Sequence, residues 1–349
     1  MTEKPGPERL PSPSDRRDSG VYTTMRDLDA ASWAFIARSV VRRFVTDRCP
    51  DAAAALTFYA VLAVIPAAMV VVSLVSILGR DSELLRLVVG VVSTLVSPAA
   101  AEMLRDVIDE LASSSIAWIA LVGGLSLTLW SGARFVAAFG RSMNDIYRAD
   151  EGRRLWKMRL VHLLLALALL TAGAVALIVA GLSDRVVEAV DDQLGWGDTV
   201  LLTWRLIRWP LVVVVTIAAL AALSFFASNV RHPRFRWMTF GAGSTLLVLL
   251  LASLLFSLYT SNVAQYERIY GSLAGIIVFL LWLWIANLAL LGGVEFDAAV
   301  ERARELKQGE AAEHRPRLAL RSTATLPQKT RRQRAELASA RSLRADLRD

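Results

Sequence analysis

Seven side chains carry most of the chemistry this sequence offers: Trp130, Arg134, Asn144, Asp145, Trp284, Asn287 and Glu295. Each lies within, or just past the end of, a long apolar run. Arg134 is the one unambiguous charge inside such a run, and at mid-bilayer it would cost roughly 2.5–3.5 kcal/mol on insertion scales. It sits near the end of its run, where a long side chain can snorkel to the interface; burial would instead require a partner. Glu295 ends the last run on the same side, so the sequence predicts an Arg134–Glu295 pair, or Arg134 with Asn144 or Asp145, at the inner mouth of a helix bundle. Trp130 precedes Arg134 by one helical turn and shares its face. Trp284, Asn287, Leu291 and Glu295 fall within about 80° of one another on a helix. Such polar-bearing faces either line a cavity for a lipid headgroup or lock helices together.

Familiar catalytic chemistry is not written here. His162, His232 and His314 stand far apart, and no His-rich metal motif, Gly-rich phosphate loop or Gly-x-Ser-x-Gly elbow is present in the sequence. The single cysteine, Cys49, excludes an intramolecular disulfide framework and a Cys-based metal cluster. The expectation is a non-enzymatic chain that needs no metal and no cofactor.

The elements that must position these residues are the runs themselves. Residues 52–78 contain no charge, and similar stretches recur at 116–133, 160–183, 209–229, 237–265 and 271–294. About 20 residues at 1.5 Å rise cross a bilayer core, and a helix pairs its mid-segment backbone groups internally. A hydrophobic content of 55% with a mean hydropathy of +0.45 fits lipid rather than water as the surrounding solvent. The predicted fold is all-α: an integral membrane six-helix bundle with spans near 52–78, 116–138, 160–183, 209–229, 237–261 and 271–294. The membrane domain covers 31–308, between a disordered tail at 1–30 and a basic disordered tail at 309–349. No cleavable signal precedes the first run, which therefore serves as its own insertion signal.

Charge orients the bundle. With the N-terminus in the cytoplasm, 31 of the 39 lysines and arginines fall on inner segments and 7 on outer loops. The short turn 229–237 carries Arg231, Arg234 and Arg236 without an acid, whereas the outer loop 184–208 holds five acids. Six spans with both termini on the cytoplasmic side are therefore expected. The net charge of +7 then reads as orientation, not as affinity for nucleic acid.

Amphipathic segments flank the spans. Trp33, Ile36, Val40, Val41, Phe44 and Val45 recur at helical spacing with Arg38, Arg42 and Arg43 between them. Such a helix either lies in the inner interface, with its arginines on anionic headgroups, or packs on the end of the bundle. Residues 84–96 are too short for a span and suit an interfacial or re-entrant helix. Residues 103–111 and 186–194 predict amphipathic helices on the outer side. Pro66 falls inside the first span, and Pro210 is expected in the first turn of the fourth, where its missing N–H is harmless. Gly271, Gly275, Gly241 and Gly243 allow close helix approach, and Tyr259, Tyr266, Tyr270, Trp204 and Trp209 are placed as an outer aromatic belt.

Three blocks together resemble the YihY/BrkB family of bacterial inner-membrane proteins, once mislabelled ribonuclease BN. The first runs from Asp51 through the Ala-rich stretch and Phe58-Tyr59 to Pro66. The second is Leu129-Trp130-Ser131-Gly132-Ala133-Arg134, continuing through Asn144-Asp145-Ile146-Tyr147 to Arg153, Trp156 and Arg159. The third runs from Tyr259 through Tyr270-Gly271-Ser272-Leu273, then Leu281-Trp282-Leu283-Trp284 and Leu291-Gly292-Gly293-Val294-Glu295, which departs mildly from the usual Gly-Ala-Glu ending. The resemblance covers about 33–304. It implies a six-span membrane protein linked to envelope integrity, serum resistance and export of lipid or lipopolysaccharide. The sequence thus leads to a translocator of a lipid or other amphiphile, with membrane lipids bearing anionic headgroups as partners at the inner face. Its rival is a non-transporting envelope scaffold that docks an envelope protein. A headgroup-sized cavity lined by Trp130, Arg134, Asn287 and Glu295 would favour the first, and a tightly packed bundle the second.

Overall fold

The computed structural model describes residues 28–78, 117–181, 198–231, 235–260, 274–309, 312 and 318–346. Helices α1 Ala30–Thr46, α2 Cys49–Leu78, α3 Ala117–Ile146, α4 Leu155–Gly181, α5 Asp198–Ala227, α6 Phe235–Thr260, α7 Ala274–Lys307 and α8 Leu326–Asp346 run through them. The expected all-α membrane bundle is the fold observed. Helices α2, α3, α4, α5 and α7 are each long and apolar enough to cross a membrane. Helix α6 has 26 residues with a shorter apolar stretch, Thr245–Phe256.

From α2 to α7 each helix packs on the next, and α7 returns to α2, so the six close a ring in chain order. Helix α3 also reaches α5 and α7. The packed core gathers at one end of this ring. Cys49, Ala53 and Leu56 at the start of α2 meet Phe139, Met143 and Ile146 at the end of α3, Ala227 at the end of α5, and Leu291 and Val294 late in α7. Away from that end large apolar side chains such as Ile119, Leu164, Val214 and Leu255 are exposed, as suits a surface facing lipid. Small residues set the closest approaches. A Cβ on Gly140 would lie 2.6 Å from the Ala227 carbonyl oxygen, so α3 and α5 touch backbone to side-chain-free backbone there.

Helix α1 is the amphipathic helix that the spacing predicts. Asp29 caps it by accepting from the Ser32 N–H at 2.9 Å. Its Ile36 face packs on Ala299, Val300 and Ala303 of α7, Trp33 stacks on Phe296 with centroids 6.4 Å apart, and Arg302 donates to Ser39 at 3.3 Å. Val41 and Val45 remain exposed. The charged residues after Glu295 continue the last apolar helix without a break. Helix α7 has 34 residues, about 50 Å at 1.5 Å per residue, which exceeds a hydrocarbon core of about 30 Å. Its surplus length forms the platform for α1.

Two expectations need correction. Pro210 is not in a first turn: α5 begins at Asp198, so the proline lies inside the helix. The tail beyond 309 is not structureless throughout. Leu320 forms an antiparallel bridge with Val230, and residues 326–346 are helical, with few apolar side chains and an exposed surface. The N-terminal tail to residue 27, the segments 84–96, 103–111 and 186–194, Gly271, Tyr266, Tyr270, His232 and His314 lie outside the described residues.

Gly140→Ala places its methyl against backbone that cannot yield, and is expected to destabilise the protein by about 1–3 kcal/mol. Gly123→Ala, with nothing within 4 Å of the new Cβ, should leave stability unchanged or slightly raised. Thermal unfolding of the purified protein in detergent checks the pair.

Candidate functional site

The polar face read on the last run is real, and it faces α2. Trp284 Nε1 donates to the Pro50 carbonyl at 3.3 Å. Asn287 is buried and its Nδ2 donates to Thr57 Oγ1 at 3.1 Å and to the Leu283 carbonyl at 3.0 Å. Thr57 itself donates to the Ala53 carbonyl at 2.8 Å, leaving its lone pairs for Asn287. Glu295 is 0% exposed, and its Oε1 accepts from Cys49 Sγ at 3.8 Å. The stripe therefore seams α7 to α2 with hydrogen bonds that lipid cannot replace, each worth about 0.6–2 kcal/mol.

Arg134 does not join it. Its side chain is exposed, and its guanidinium lies 5.3 Å from the ring centroid of Trp130, itself 51% exposed. The predicted Arg134–Glu295 pair is therefore replaced by an outward cation–π stack and a buried carboxyl with other neighbours. The reason is azimuth. Arg134 lies on an exposed face of α3 beside Trp130, whereas Glu295 is buried. Nor does Arg134 meet Asn144 or Asp145: Asp145 is exposed, and Asn144 is committed elsewhere.

Asn144 belongs to a second cluster, at the end of the ring where the core sits. Its Nδ2 donates to Glu151 Oε2 at 3.1 Å, and its Oδ1 accepts from the Asn229 backbone N–H at 3.0 Å. Arg153 grips the same Glu151 through Nε and a terminal nitrogen at 2.9 and 2.8 Å. It also donates to the carbonyls of Phe226 at 3.2 Å and Ala227 at 2.8 Å, the last residues of α5. Helix C-termini leave carbonyls without partners, and a cation there also suits the helix dipole. Asn229 Nδ2 reaches the carbonyls of Asp150 and Ser322, both at 2.9 Å, while its Oδ1 accepts from the Ser322 N–H at 3.1 Å. Arg321 donates to the Val230 carbonyl at 2.9 Å and lies 4.2 Å from the Phe225 ring centroid. A Cβ on Gly152 would come within 2.0 Å of the Ser322 carbonyl oxygen, so only glycine admits this crossing. The α3–α4 loop, the end of α5 and the segment 318–325 are thus latched together.

Burial alone would raise the Glu151 carboxyl, but hydrogen bonds and charge from Arg153, with the Asn144 amide, hold it below its ordinary value. Burial lowers the Arg321 guanidinium, helped by the charges of Arg153 and Arg231. Among the described residues no group of three or more His, Cys, Asp or Glu is arranged to hold a metal ion.

A third feature is a groove of about 730 Å³ on the outside of the ring, within the range of about 300–1,000 Å³ common for ligand clefts. Its walls include Val41, Phe44 and Val45 of α1, Leu247 and Ala252 of α6, and Gly292 of α7, and every lining residue is apolar or glycine. Arg38 and Arg42 project exposed from α1.

Sequence reasoning missed Glu151, Arg153, Asn229, Arg321, Asp47 and Cys49 as parts of these clusters. The available signals were slight: Gly152 between two opposite charges, and Asn229 at the end of an apolar run.

The virulence factor BrkB family model matches residues 40–318. The ribonuclease-like protein YfkH of Bacillus subtilis is 24% identical over 77% of this chain and 96% of its own length. A UPF0761 membrane protein of Alcanivorax borkumensis is 28% identical over 75% of this chain and 59% of its own. The UPF0761 membrane protein NMB0524 of Neisseria meningitidis is 31% identical over 78% of this chain and 64% of its own. The chain thus spans about three-fifths of the length of these UPF0761 relatives. No solved structure matches it.

A carboxyl held low by folding adds stability above its ordinary pKa, near 4.3, and that stability is lost as pH falls through the lowered folded value. Thermal unfolding of the wild type is expected to weaken on acidification below about pH 4, and Glu151→Gln to flatten that dependence. Arg153→Ala, which strips donors from Glu151 and from two helix-end carbonyls, is expected to cost about 2–3 kcal/mol at neutral pH.

Proposed function

The chain belongs to the virulence factor BrkB family, and we propose that it engages anionic lipid at the inner face of the bacterial cytoplasmic membrane and moves an amphiphile across it. One observation carries this reading: a wholly apolar groove, open on the outside of the ring, walled on one side by an amphipathic helix bearing Arg38 and Arg42. An acyl chain suits the groove, since nothing in its lining asks for a hydrogen bond. The arginines suit a phosphate headgroup at the interface, each contributing about 1 kcal/mol. The face of α1 toward the groove and its arginine edge are adjacent on the helical wheel, as an interfacial lipid requires.

The orientation belongs to the same proposal. The basic segments 141–159, 229–231 and 318–346 come to one end of the ring, with the amphipathic α1, and this end is assigned to the cytoplasm by its positive charge. Reporter fusions test it: an external reading within the turn 229–237 would overturn the assignment.

A scaffold without transport is the second reading. It is favoured by the packing of Asn144, Asn287 and Glu295 into buried contacts. A nuclease, as the name of the Bacillus relative would suggest, would need several histidines converging with carboxylates; among the described residues His162 alone is buried near Glu151 and Arg153, and no three-ligand metal group forms.

In vesicles carrying a photoactivatable anionic phospholipid, cross-links are expected on the α1 and α6 walls of the groove. Replacing Arg38 and Arg42 by Ala should weaken capture roughly fivefold per arginine. Wild-type protein should speed transbilayer movement of labelled anionic phospholipid over empty vesicles. Cross-linking without acceleration would leave the scaffold; no cross-link in the groove would remove lipid engagement there.

A further inference from the structure

The α2–α7 seam ends in a pair of buried carboxyls that the latch and the groove do not use. Glu295 is 0% exposed and its Oε2 has no hydrogen-bond partner. The Asp47 side chain is 2% exposed, its Oδ1 is bound by Arg148, and its Oδ2 likewise has no partner. The two side chains lie within hydrogen-bonding reach of each other. Two buried acceptors facing one another without a donor are unfavourable, and two like charges there more so. One proton resolves both deficits, because a protonated carboxyl becomes a donor to the oxygen opposite.

We propose that Asp47, in the turn between α1 and α2, and Glu295 bind a single shared proton that locks this turn to α7, and that its release loosens the adjoining α2–α7 seam. The surroundings fit a proton better than a metal, since the described residues hold no three-ligand metal group. The charged and titratable neighbours are few. Arg43 from α1 and Cys49 from α2 act on Glu295, and Arg148 from the α3–α4 loop pairs with Asp47. Tyr147, next to Arg148, senses Asp297, Glu301 and Glu295 of α7. Arg148 is half exposed and sits on the outer oxygen of Asp47, so it offsets that charge without supplying a donor to the inner oxygen. Cys49 points its thiol at the other Glu295 oxygen. The seam thus holds two carboxyl oxygens that lack a donor, and one proton would supply it.

The full-length protein in vesicles carries its own reporter, because Cys49 is its only cysteine and is buried beside Glu295. Infrared spectra at neutral pH are expected to show a protonated carboxyl stretch that disappears in Glu295→Gln and shifts in Asp47→Asn. Maleimide labelling of Cys49 should rise with pH more steeply in the wild type than in Glu295→Gln, whose amide stays neutral and can still donate to Asp47. Removing the Glu295 charge lets the variant's thiol ionise more readily, which opposes the expected difference, so a wild-type to variant ratio that rises with pH reports the seam and not the thiol. The absence of the band, its persistence unchanged in both variants, or a wild-type to Glu295→Gln ratio that stays flat with pH would each overturn the proposal. Should Glu295→Gln fail to fold, Asp47→Asn carries the same labelling comparison.

Discussion

The grip of Arg153 on Glu151 and on the last two carbonyls of α5 is the interaction on which the rest of this structure depends. A helix that ends near a membrane interface leaves its final carbonyls without intrahelical donors, and lipid offers none. Arg153 supplies them from a neighbouring loop while its charge is balanced by Glu151, itself held by Asn144 at the end of α3. One guanidinium therefore fixes α3, the α3–α4 loop and α5 relative to each other. With those set, Asn229 can reach the segment 318–325 and close the end of the ring. The core residues gather at this same end because it is where the chain is held in register.

What the sequence could disclose follows from which physical signals are local. Uncharged runs of spanning length announce themselves, and so does the α1 period, because each is a pattern within one element. The Trp284, Asn287, Leu291 and Glu295 stripe was also legible, since spacing alone puts those residues on one face. Which neighbour that face meets was not. Asp47 and Cys49 stand about 250 positions away in sequence from Glu295, and no local pattern links them. The misplaced Arg134 pairing has the same origin: position in a run gives depth, whereas the direction a side chain faces around the bundle depends on how helices are arranged. Glu151 and Arg153 were hidden by their ordinariness, as a charged loop pair looks like solvated surface until a helix end is found beneath it. The C-terminal tail was misjudged because composition describes α8 well enough but carries no trace of the few residues, 319–322, that bridge to 229–231.

The surplus of arginine acquires two meanings here. Much of it lies at one end of the ring and can orient the protein by the positive-inside bias. Some of it is structural in the ordinary sense. Arg321 is half-buried against Phe225, near Arg153 and Arg231, an environment that works against its own charge. Such a residue is retained for planar stacking and directed donors, which a lysine would not reproduce. Arg302 likewise donates to Ser39 and the Ala312 carbonyl at 2.8 Å while covering the Phe35 ring. A count of charges treats these as equivalent to the exposed Arg38 and Arg42, and the structure separates them.

Helix α7 is where the apolar groove and the carboxyl pair meet. Ile285, Ala289, Gly292 and Phe296 face the groove, while Trp284, Asn287, Leu291 and Glu295 face α2. At 100° per residue the two faces are centred about 125° apart on the same few turns. A rotation or tilt of α7 that parts Glu295 from Asp47 must therefore also move the groove wall. Helix α1 has to follow in part, since Trp33 and Ile36 are packed on the continuation of α7 beyond Glu295. The latch does not, because Asn144, Glu151, Arg153 and Asn229 make their bonds without α7. The architecture accordingly has a latch held by Arg153 and, apart from it, a seam between α7 and α2 that ends at the α1–α2 turn in one pair of carboxyls.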